Sequence, residues 1–164
     1  MLRVVTIVMA LGLGESVAAQ AGTQGFDRIV LGPANMDLAL GSIALEAGDY
    51  DAGIERTLAG LEDRTLSDEN RASGLSNLCA GYAAKQLPDT AIRYCTESLA
   101  IDDRNWRAYS NRSYAYWLMG RYPEAQDDLE TASAINPQAR QIAQIRGMLN
   151  EMRLRPNIVM EDLQ

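Results

Sequence analysis

The chain contains no histidine, only two cysteines in 164 residues and no long run of lysine or arginine. Without histidine it cannot build a Ser-His-Asp triad or an imidazole-ligated metal centre. Two thiols alone do not make a zinc site. A Gly-rich phosphate loop is also missing, so neither catalysis nor a cofactor is expected. Fifteen basic residues against 22 acidic ones leave a net charge of −7. That balance lacks the basic footprint that nucleic acid or an anionic lipid surface would require. No apolar stretch approaches the roughly 20 residues that a membrane-spanning helix needs. What the chain does have is 47% hydrophobic content, enough to support one domain's core.

The N-terminus reads as a leader. Met1-Leu2-Arg3 gives a positive start, residues 4–14 are apolar, and Val17-Ala18-Ala19-Gln20-Ala21 ends in small residues. This is the pattern of a secretory signal peptide over residues 1–21, with cleavage after Ala19 or after Ala21. The expectation is export across the inner membrane, to a periplasmic location, with no direct membrane insertion once the leader is removed. An oxidising compartment permits disulfides, and Cys79 and Cys95 are the one available pair. If residues 71–85 and 89–101 form antiparallel helices joined near Leu87-Pro88, the two cysteines lie equidistant from the turn. A bridge there would contribute about 3 kcal/mol in the chain-entropy description. The other possibility is a pair of small buried thiols where the helices approach.

The strongest positive signal is a self-match at a spacing of 34 residues. Asn77-Leu78-Cys79-Ala80-Gly81-Tyr82 recurs as Asn111-Arg112-Ser113-Tyr114-Ala115-Tyr116, and Ala91 recurs as Ala125. A period of this length indicates stacked helical hairpins, none of which buries its apolar face alone. Within residues 106–137, Tyr109, Arg112, Ser113, Tyr116, Ala125, Leu129 and Pro137 occupy the places of W-x₂-L-G-x₂-Y, A-x₃-F and P. On these residues the chain resembles the tetratricopeptide repeat family. Small side chains fall where two helices cross closely and large ones fill around them; only Arg112, where the family prefers leucine, is out of type.

A second unit over 72–105 carries Leu75, Leu78, Cys79, Tyr82, Ala91, Cys95 and Ser98, with Asp103 in place of the final proline. A more degenerate unit over 33–62 carries Leu40, Gly41, Ala44, Gly53, Thr57 and Gly60. Gly53 precedes Ala91 by 38 residues, so four extra residues sit in the 63–70 connection. The whole is expected to be all-α, a short right-handed solenoid of about three helix-turn-helix repeats. Residues 138–155 form an amphipathic capping helix with Ile142, Ile145, Leu149 and Met152 on one stripe. Residues 156–164 form a tail that packs back on the solenoid or lies free.

The resemblance implies that the first helix of each hairpin lines a concave face that binds a protein or peptide. That face would carry Arg107, Ser110, Asn111, Tyr114 and Trp117 from the third unit, and Ser73 and Asn77 from the second, with Ala80 and Ala84. Tyr114 and Asn111 are the residues expected to be exposed there, whereas Trp117 either faces the partner or packs on the neighbouring helix. The basic clamp with which some family members hold chaperone C-terminal carboxylates is not evident, since Leu38 and Ser42 stand where its first Lys and Asn would be. The carboxylates of Asp102-Asp103 and of Asp127, Asp128 and Glu130 are expected at a turn and on a solvated outer face. Paired-carboxylate chemistry would need a cleft that a hairpin stack does not supply. The reading is an exported non-enzymatic adaptor. A structural accessory subunit of an envelope complex, or a self-associating protein, is the alternative, and oligomeric state is left open.

Overall fold

The computed structural model describes residues 35–154, with the side chains of 153 and 154 excepted; the leader and tail assignments lie outside this range. The described residues form seven helices: α1 Met36–Glu46, α2 Tyr50–Leu61, α3 Asp68–Ala84, α4 Pro88–Ile101, α5 Trp106–Leu118, α6 Tyr122–Ile135 and α7 Arg140–Leu154. Helices α1/α2, α3/α4 and α5/α6 pair as hairpins.

Local chemistry sets the boundaries. Asn35, Asp49, Ser67 and Asn105 each accept a backbone N–H of the first turn, at Leu38, Ala52, Asn70 and Ala108. Helices α4 and α6 instead carry Pro88 and Pro123 in their first turns, where the missing N–H costs nothing. At each intra-hairpin turn one residue takes a left-handed conformation: Gly48 at φ 82°, Gln86 at φ 60° and Gly120 at φ 72°. Glycine meets this requirement without strain. The four-residue insertion before the second unit lengthens a helix. Helix α3 has 17 residues against 13 in α5, so it starts one turn early, at Asp68 behind the Ser67 cap.

Packing follows from small residues at the helix crossings. Ala91, Ala125 and Ser113 are fully buried, and Ser113 Oγ donates to the carbonyl of Ala125 across the third hairpin at 2.6 Å. In the first hairpin the same role falls to glycine. A Cβ on Gly60 would lie 2.8 Å from the backbone nitrogen of Leu38. The degenerate first unit therefore forms a complete helix pair, closer than its large residues alone would permit. A core cluster spans the second and third hairpins and α7, and a smaller one joins Leu45, Ile54 and Leu78. Cys79 and Cys95 are bonded, Cα to Cα 5.3 Å, and pin α3 to α4.

Reduction with dithiothreitol is expected to lower the melting temperature, reflecting loss of about 3 kcal/mol; an unchanged melt would remove the staple from the account. Gly60→Ala is expected to cost about 1–3 kcal/mol by forcing α1 and α2 apart, as read by chemical denaturation.

Candidate partner-binding face

The helices fall into two layers. Helix α1 packs on α3, α3 on α5 and α5 on α7, whereas α2, α4 and α6 make no close backbone approach to one another among the described residues. First helices held side by side, with second helices splayed, curve the stack inward toward α1, α3, α5 and α7. The inner face is thus the concave one.

A buried polar ladder fixes the inner helices. Asn111 Nδ2 on α5 donates to the Ser76 carbonyl on α3 at 3.1 Å, and Gln141 Nε2 on α7 donates to Asn111 Oδ1 at 2.7 Å. These bonds form in only one register, so the ladder sets how α3, α5 and α7 align, with Gln141 Oε1 left without a partner among the described residues. Between layers, Ser98 Oγ donates to the Ala72 carbonyl at 2.7 Å and accepts from Asn105 Nδ2 at 3.1 Å.

This arrangement corrects part of the expected site. Tyr114 and Asn111 are buried, at 8% and 5% exposure, rather than open to a partner. Asn111 is consumed by the ladder. The Tyr114 ring stacks on Trp117 with centroids 5.9 Å apart, and burial pushes its hydroxyl above the ordinary tyrosine range despite a hydrogen bond with Gln86. Ser73, Asn77 and Ser110 are buried as well. Arg107 and Trp117 stay partly exposed, with the Arg107 guanidinium 4.4 Å from the centre of the Trp106 ring. Ala80 and Ala84 continue this half-exposed band on α3. Sequence reasoning missed Gln144 and Met148. They lie one and two turns beyond Gln141 on the same side of α7 and are half-buried, so the cap also extends the inner face. The signal was available, because the α7 stripe has a second, mixed side beside its apolar one.

The out-of-type Arg112 also has its explanation here. Asp128, expected on a solvated outer face, is buried and forms a two-pronged pair with Arg112, Nε to Oδ2 at 2.7 Å and the terminal nitrogen to Oδ1 at 2.8 Å. A further Arg112 nitrogen reaches Thr96 Oγ1 on α4 at 3.2 Å. The Asp128 carboxylate holds the guanidinium above its ordinary basicity. Asp103, Asp127 and Glu130 remain exposed. Among the described residues, no cluster of acidic or thiol side chains could hold a metal ion.

These features define an all-α helical repeat protein whose inner face is shaped by four parallel-stacked helices. Comparison with known proteins places a family model on one hairpin. The tetratricopeptide repeat model matches residues 106–139, which hold the third hairpin, so that hairpin is a tetratricopeptide repeat. It is 30% identical to DnaJ homolog subfamily C member 3 of Bos taurus over 89 residues, which is 54% of this chain and 16% of that protein. The chain therefore spans about a sixth of that curated relative. Among solved structures, the Arabidopsis OM64 TPR domain superposes with a TM-score of 0.60 at 23% identity, covering 70% of this chain and 91% of that domain. The second TPR domain of human RPAP3, solved in complex with the HSP70 peptide SGPTIEEVD, gives 0.58 at 23% identity, covering 70% and 92%. These structures share the fold.

Removing one partner of the buried pair is expected to be costly. Asp128→Ala should destabilise by about 3 kcal/mol, whereas Arg112→Leu with Asp128→Leu should lie within about 1 kcal/mol of the parent. Equal losses in the two proteins, measured by urea denaturation, would contradict the pairing.

Proposed function

We propose that the chain is an exported, periplasmic, non-enzymatic adaptor that binds a protein segment on its inner face. The observation that carries this reading is the band formed by Ala80, Ala84, Arg107, Trp117 and Met148, half-exposed and spread over three stacked helices. Trp and Arg dominate binding energy at interfaces, and methionine adapts to irregular apolar partners. Trp117 Nε1 is buried without a hydrogen-bond partner among the described residues. The peptide seated on the RPAP3 domain supports the use of this fold for short segments.

Chaperone-tail specificity is not part of the proposal. Leu38 is buried and Ser42 donates to the Ala39 carbonyl, so neither is poised to hold a terminal carboxylate. The leader-like residues 1–21 support export, and the Cys79–Cys95 bond agrees with an oxidising compartment.

With a captured partner, Arg107→Ala and Trp117→Ala are each expected to weaken binding by about 1–3 kcal/mol, measured by titration calorimetry. Arg107→Ala should leave the melt within a few degrees of the parent, which separates lost contact from lost folding. Unaltered affinity in both variants would place the partner elsewhere.

A further inference from the structure

The helical glycines Gly41, Gly53, Gly60, Gly74 and Gly81 all sit at helix crossings, where an added Cβ would lie 2.4–2.9 Å from a side chain of the neighbouring helix. At all but Gly41 that side chain is a leucine or an isoleucine. Gly147, in the middle of α7, is different: it is exposed, and a Cβ there would meet nothing within 4 Å. Glycine weakens a helix interior relative to alanine, and no contact among the described residues uses this one. On the same side of α7, Arg140, Ala143, Arg146 and Asn150 are exposed as well, so this face carries two arginines against the single carboxylate of Glu151.

The opposite side of the stack shows the converse. Helix α1 leaves Met36, Leu40 and Ile43 exposed at 73%, 40% and 54%, and their spacing of four and three residues puts them on one stripe. The hairpin around them is strongly acidic: residues 35–63 hold seven carboxylates and one arginine, and that arginine, Arg56, is already paired with Asp37 at 3.1 Å. We infer that α1 of one molecule docks on the Gly147 face of α7 in a second copy, joining the stacks head to tail. Large apolar side chains then meet a glycine, as they do at the crossings inside the chain, and the acidic hairpin meets the two arginines. Charge selects this contact over a symmetric one, because α1 on α1 would oppose carboxylate to carboxylate and α7 on α7 arginine to arginine. A heterologous contact of this kind leaves a free face on each molecule, so association continues into open chains. An 11-residue helix is about 16 Å long, too short for the ~800 Å² per partner of a stable interface. The association is therefore weak and concentration-dependent, and it uses none of the residues of the half-exposed band.

Analytical ultracentrifugation of the full chain tests this. Average mass is expected to rise across the micromolar to millimolar range, with association weakened about tenfold when salt is raised from about 50 to about 500 mM. Ile43→Asp and Gly147→Glu each alter an exposed position, so each should keep the parent's fold, read by its melt, while abolishing the growth in mass. Because each variant retains one intact face, an equimolar mixture of the two should form one-to-one pairs and nothing larger. A parent chain that stays monomeric throughout would overturn the contact and leave the α1 stripe to another occupant. Association of Gly147→Glu at the parent's strength would overturn it too, by assigning the contact to a symmetric pairing of α1. A mixture that remains monomeric would do the same.

Discussion

Two helices can close to backbone contact only where a side chain is nearly absent, and every hairpin of this chain puts glycine, alanine or serine at that crossing. In the third hairpin Ser113 meets Ala125, and the serine also uses its hydroxyl to bond the facing carbonyl. In the second, Cys79 and Cys95 stand near the crossing and close it covalently. In the first, Gly41, Gly53 and Gly60 bring α1 and α2 so near that an added Cβ would strike the opposing helix. Layering follows, with the first helices side by side and the second helices making no close approach to one another among the described residues.

Polar groups then fix register within that frame. The Ser76, Asn111 and Gln141 ladder aligns the inner helices, and its members are buried, so a slip by one residue would strand amides away from water. The Arg112–Asp128 pair does the same between α5 and α6. A buried pair of this kind contributes little net stability against a well-packed hydrophobic alternative. Its consequence is a specific match between two helices of one hairpin.

Much of this was legible in the sequence, and the exceptions share a cause. The period of 34, the small positions and the prolines announced the hairpins because those features are local and repeat. Position 112 looked like a defect because its compensation, Asp128, lies 16 residues away on another helix. Asn111 and Tyr114 looked exposed because a single repeat does not reveal what the next inner helix covers; α7, bringing Gln141, completes the ladder over Asn111. The four-residue insertion was visible, yet its placement as an extra turn of α3 depended on the Ser67 cap winning over a longer loop.

In the proposed function, a protein segment docks on the half-exposed band around Trp117. Photo-crosslinking in intact cells from a benzoylphenylalanine placed at position 117, with mass spectrometry of the adducts, tests it most directly. A dominant adduct with one other protein, mapped to a short stretch of that partner, is expected. Adducts confined to further copies of this chain, or none, would contradict it.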